Sequence, residues 1–147
     1  MLWLYLLMAL LAGAMLPLQA GVNSQLARWT NQTVIAGLIS FFVGTLAMIA
    51  ATVVLRPAWP SVGHLAQAPW WSWLGGLLGA YFIAAAIIVV PKLGAALFVA
   101  IVVAGQTLVA IILDHYGLLG YAVRPLGAWR IVGVALLLAG VWLIRRY

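Results

Sequence analysis

The sequence predicts an all-α integral membrane protein of five transmembrane helices, and three observations carry that expectation. Of its 147 residues 68% are hydrophobic and 5% charged, whereas a soluble domain needs roughly a quarter of its residues charged to cover its surface. The mean hydropathy is +1.24. Apolar runs near 3–26, 33–55, 70–90, 93–113 and 129–145 each approach the ~20 residues that cross a hydrocarbon core of about 30 Å. The length suits a single transmembrane domain over 1–147.

The first run differs from a signal peptide, because MLWLYLL carries no Lys or Arg and the apolar length exceeds a signal h-region. Within it, Gln19, Asn23, Ser24 and Gln25 stand where a lipid-facing helix should carry leucines. Polar side chains at membrane depth are costly unless they face protein or a water-filled cavity. Pro17 is expected to kink or loosen this helix. Arg28 and Trp29 close it at the interface, and Asn31-Gln32 turn the chain into the second run.

In the second run Gly37, Ser40 and Gly44 share a face, a small-residue seam that lets another helix approach closely. The stretch from Arg56 to Pro69 is the longest polar linker, and its His64 reads as a solvated loop residue without a second metal-ligand type nearby. Trp70, Trp71 and Trp73 form an aromatic belt opening the third run. Gly75 and Gly79 then make a GxxxG pair, and Tyr81 lies near mid-membrane, where its hydroxyl needs a partner. The short Pro91-Lys92-Leu93-Gly94 link predicts an antiparallel hairpin of the third and fourth runs. The fourth run carries Gln106-Thr107 and ends at Asp114, the only acidic residue. Asp114 is expected to pair with Arg124 or Arg130 and fix the following loop, with His115 in the same loop structure. The fifth run is the shortest, with Gly133 and Gly140 one heptad apart.

Charge excludes more than it assigns. A net +6 would suggest nucleic acid in a soluble protein, but the seven basic residues lie scattered between apolar runs and read as topology anchors. Without cysteine there is no disulfide or thiol nucleophile. With no metal-ligand cluster, phosphate loop or Ser/His/Asp arrangement either, no enzyme activity, cofactor or metal is expected. The expected partners are a small-molecule substrate and the lipid bilayer. Five spans place Arg56, Arg124 and Arg130 on the N-terminal side, and Arg28, Lys92, Arg145 and Arg146 on the other. Such near balance gives little instruction for orientation. Copies inserting both ways would pair as an antiparallel dimer, each chain half of an inverted-repeat transporter.

The segments PLQAGVNSQLARWTNQTVIAGLISFFVGTLA and GAALFVAIVVAGQTLVAIILDHYGLLG resemble the YdcZ-like family, classed as a domain of unknown function within the drug/metabolite transporter superfamily. The resemblance runs over essentially the whole chain. It implies a bacterial inner-membrane protein of five helices, related to ten-helix transporters and to four-helix small multidrug exporters. GVALLLAGVWLI from Gly133 looks like the helix through which those exporters dimerise, which would place Gly133 and Gly140 at a dimer interface. One departure stands out: their first helix carries an embedded glutamate, whereas here only the neutral Gln19 and Asn23 are present.

Gln19 and Asn23, four apart, lie about 40° from each other on one helical face. Gln19 sits roughly 7 Å past the middle of its run, and Gln106 about 4–5 Å from the middle of its own. Inverting one subunit brings the two to nearly one level. The expected binding cluster is therefore Gln19, Asn23 and Gln106, with Tyr81 nearer the midplane; Ser24 and Gln25 fall to the interface. Neutral amides both donate and accept, which suits a neutral or zwitterionic solute. The other expectations are a lipid or lipid-linked sugar flippase, and a membrane scaffold in which these amides only bond helix to helix.

Overall fold

Apolar segments this long settle as helices because a bilayer leaves no water to satisfy backbone N–H and C=O groups. The structure, a computed structural model, describes residues 2–147 and is helical throughout its regular elements. The helices are α1 (Leu2–Thr30), α2 (Thr33–Leu55), the short α3 (Val62–Ala66), α4 (Gly75–Leu93), α5 (Ala95–Tyr116) and α6 (Ala128–Arg146). Five are long and apolar enough to span: α1, α2, α4 with the 3-10 turn Trp70–Leu74 before it, α5 and α6.

The chain forms two compact units, one comprising the residues up to Pro17 and from Lys92 to Tyr147, the other Leu18–Pro91. Both passages from one unit to the other fall at a proline inside a helix. α1 runs unbroken through Pro17 and ends four residues beyond the expected Leu26. Thr30 closes it, its single hydroxyl hydrogen within reach of either the Leu26 carbonyl at 3.1 Å or the Gln32 carbonyl at 3.0 Å. Asn31 takes a left-handed turn (φ 54°) and Gln32 an extended one, so two residues suffice to start α2.

In the Leu18–Pro91 unit the core is small and tight. Ala36, Ile83 and Ile87 are buried together, with Leu26, Ala27 and Phe82 packed against them. The glycines explain how α2 and α4 come so close. A Cβ on Gly37 would lie 3.8 Å from Ile83 Cγ2, and one on Gly79 would lie 3.5 Å from Phe41 Cζ. Each helix thus sets a large side chain over the other's glycine, four residues apart on both, in antiparallel register. The second half of α1 adds a buried stripe of Ala20, Asn23 and Ser24 that continues one helical turn on to Ala27. The linker is not wholly irregular: Ser61 caps α3 by accepting from the His64 N–H at 3.3 Å, and His64 itself is exposed, as the sequence suggests.

The expected link between the third and fourth spans shortens to a single residue. Pro91, Lys92 and Leu93 complete α4, and Gly94 alone precedes α5, at φ 80° and ψ 157°. That region is essentially reserved for glycine.

In the other unit α5 packs against α6, and their connection is cross-braced. Arg130 Nη1 meets Asp114 Oδ2 at 3.4 Å and donates to the Arg124 carbonyl at 3.1 Å. The Arg124 N–H donates to the Asp114 carbonyl at 2.8 Å. His115 Nδ1 accepts the Leu126 N–H at 3.1 Å, which requires an imidazole unprotonated at that nitrogen. At Gly117 (φ 62°) a Cβ would fall 2.7 Å from Val123, so the turn leaving α5 needs glycine. Of the two arginines expected to pair with Asp114, Arg130, in the first turn of α6, is the partner.

Two outcomes follow for the purified protein. Gly79→Ala should be near neutral, because its Cβ makes an ordinary contact, whereas Gly79→Leu should lose about 1–3 kcal/mol or more through overpacking, read as a lower thermal midpoint in detergent. Asp114→Asn should raise amide exchange at Arg124 and Leu126 several-fold while leaving the α5 and α6 interiors protected; an unchanged loop would show the ion pair to be incidental.

Candidate functional site: a polar groove at mid-helix depth

Where α2 continues past its contact with Ile83, the small-residue face is no longer filled. Gly37 is covered, but a Cβ on Gly44 would meet nothing within 4 Å. The expected seam therefore closes at one end only. At the other end lies an open groove of about 600 Å³, lined by Gln19 from α1, by Ser40, Phe41, Gly44, Thr45, Ala47 and Met48 from α2, and by Ile83 from α4. Gly44 is the central residue of the 23-residue α2, so the groove is centred near the midpoint of a span.

The polar groups here differ in how they are satisfied. Thr45 donates to the Phe41 carbonyl at 2.9 Å, the usual recourse of a hydroxyl inside a helix. The Gln19 amide and the Ser40 hydroxyl are the groove's uncommitted polar groups among the described residues. Phe41 and Met48 give the same wall apolar area. No lining side chain carries a formal charge. Such a surface can hydrogen-bond and desolvate a small amphipathic molecule but cannot neutralise an ion.

The residues singled out from the sequence take different places. Gln19 lines the groove. Asn23 lies next to it along α1 but is 4% exposed, in the buried stripe. Tyr81 is 77% exposed and lies on the opposite side of α4 from the buried Ile83, Ala86 and Ile87. Gln106 belongs to the other unit and is exposed there, on the side of α5 away from the Leu108, Ile111 and Ile112 face that meets α6. Gly133 and Gly140 share the face of α6 opposite Ile131, Val134 and Leu138, and neither has a neighbour within 4 Å of its Cβ position. No group of three or more metal-ligating side chains occurs among the described residues.

Ser24 is 7% exposed and its hydroxyl has no hydrogen-bond partner. Its position on the stripe with Ala20 and Ala27 is the cause: helical periodicity turns it inward. Gln25, by contrast, is exposed. Ser40 and Thr45 were also missed as site residues; their signal was two hydroxyls near the middle of an otherwise apolar span.

Residues 4–143 match the family described as "Putative inner membrane exporter, YdcZ". The chain is 29% identical over 136 residues to a protein of Escherichia coli (strain K12) named inner membrane protein YdcZ, covering 92% of this chain and 90% of that one. No solved structure matches it. Five apolar spans and a family match across nearly the whole length lead to one conclusion: this chain is a multi-pass inner-membrane protein and belongs to the YdcZ family.

Proposed function

We propose that this protein exports a small neutral or zwitterionic solute by alternating access, as an antiparallel dimer of two copies or with a sister chain. The observation that carries the reading is the groove itself, which sets an uncommitted amide and an uncommitted hydroxyl at mid-span depth. Leaving such groups without partners in lipid is costly, so their presence favours a water- or solute-filled pathway. The description of the matching family as an inner-membrane exporter agrees with it.

The dimer part of the proposal rests on separate grounds. An odd number of spans with a near-even division of basic residues suits insertion in both orientations. Gly133 and Gly140, on the open face of α6, offer a surface on which a second helix can approach closely. In that arrangement Gln19 of one copy and Gln106 of the other come to similar depth; Asn23 backs Gln19 from the buried stripe of α1, and Tyr81, on the outer side of α4, joins only if the partner brings that side to the cluster. The whole chain then acts as one transmembrane domain. A proton-coupled carboxylate plays no part, since Asp114 is held by Arg130 at the end of α5.

A second reading, a flippase for lipids or lipid-linked sugars, draws on the exposed Trp70, Trp71 and Trp73 at the head of α4, which could frame a lateral portal.

The test is uptake into proteoliposomes across a panel of labelled solutes and labelled lipids. Gln19→Leu and Ser40→Ala should each lower solute transport by roughly tenfold, the equivalent of one lost hydrogen bond of about 1.4 kcal/mol. Gly44→Leu should obstruct the groove without disturbing the fold, because space for its side chain is open. Full transport in all three would remove the groove from the pathway; no movement of any solute or lipid by the wild type would support the scaffold reading, and movement of lipids alone the flippase. Cysteines at Gln19 and Gln106 should crosslink between subunits; crosslinks only within one chain would sink the antiparallel geometry. Asp114→Asn should leave the pH profile of transport unchanged.

Ser24→Ala separates structure from pathway. Removing an unpartnered buried hydroxyl should leave stability unchanged or raise it by about 1 kcal/mol. A simultaneous fall in transport would add Ser24 to the pathway.

A further inference from the structure

Between α5 and α6 runs a partly open slot of about 310 Å³, lined by Leu108, Ile111, Ile112, Leu126, Ile131, Val134, Ala135 and Leu138. Every lining side chain is aliphatic, so it has no use for a polar ligand. From Ile131 to Leu138 it extends roughly 10 Å along α6, about two-thirds of a bilayer leaflet of ~15 Å. Its upper end is formed by Leu126, whose N–H is held by His115. The polar loop above is cationic. Asp114 is committed to Arg130, and Arg130 also serves the Arg124 carbonyl. The guanidinium of Arg124 is exposed and enters no ion pair or hydrogen bond among the described residues.

We propose that this slot is a binding site for one anionic phospholipid of the surrounding bilayer, with an acyl chain between α5 and α6 and the phosphate on the Arg124 guanidinium. Charge complementarity selects the occupant. The slot alone would accept any acyl chain, and the uncommitted cation two residues from Leu126 distinguishes anionic from zwitterionic headgroups. The bound lipid braces the connection that Asp114, Arg130 and His115 already hold. This site is separate from the Gln19 groove, so it stands or falls independently of the transport reading.

The test is lipid retention by the full-length protein, titrated in detergent with phosphatidylglycerol or phosphatidylcholine and read by native mass spectrometry. The wild type should retain phosphatidylglycerol about fivefold better. Arg124→Gln should abolish that preference, and since only the Arg124 backbone participates in the loop bonds the fold should persist. Ala135→Phe should fill the slot and reduce retention of both lipids, while Val54→Ala, on the exposed side of α2 and outside both sites, should change neither. Equal retention of the two lipids by the wild type, or an undiminished preference in Arg124→Gln, would overturn the proposal.

Discussion

Two reciprocal insertions hold the Leu18–Pro91 unit together: Ile83 of α4 over Gly37 of α2, and Phe41 of α2 over Gly79 of α4. In lipid, helices gain little from hiding apolar area, because the solvent is as apolar as the side chains; close van der Waals packing must do the work instead. A glycine opposite a large side chain supplies it. The same contact positions the groove. Phe41 is both a knob in the seam and a wall of the cavity, and Ile83 covers Gly37 while bordering the space beside Gln19. Where that pairing ends, at Gly44, nothing lies within 4 Å of the Cβ position, and an unfilled groove bordered by Gln19 and Ile83 remains.

The α5–α6 unit uses a different means. Its helices meet through aliphatic side chains with no glycine contact, and its order is concentrated at one end, where a loop is tied by a single carboxylate, two arginines and a histidine. A polar network is affordable there because it lies at the end of the span, where water and headgroups share the solvation. The one acidic residue in the chain sits in the last turn of α5, at the end of that span, where Arg130 engages it.

Much of this was legible in the sequence, for physical reasons that differ by element. α2 occupies the expected 33–55, because a bilayer sets the length of an uninterrupted apolar run and Arg56 ends it. The Asp114 pairing was legible because one acid among seven bases has few choices. α1 overran its expected end because Ala27 to Thr30 continue the helix into the interface, where Arg28 extends toward water and Thr30 caps. The short α3 was invisible to a hydropathy reading; it depends on one serine cap in a linker. Gly37 and Gly44 look equivalent in sequence, yet one is packed and the other open. Whether a small residue admits a helix or leaves a hollow is decided by the course of the neighbouring helix. The burial of Ser24 was not legible for a similar reason, since it belongs to the rotation of α1 rather than to its depth.

The absence of fixed charge along the groove bears on how the membrane's electrical field acts on this protein. Moving one elementary charge across 100 mV changes the energy by about 2.3 kcal/mol, enough to dominate the cycle of a transporter whose site carries a carboxylate. In the alternating-access cycle proposed above, a wall of Gln19, Ser40, Thr45, Phe41 and Met48 carries no charge from one side to the other. The groove itself then adds no voltage dependence to that cycle beyond what the solute brings.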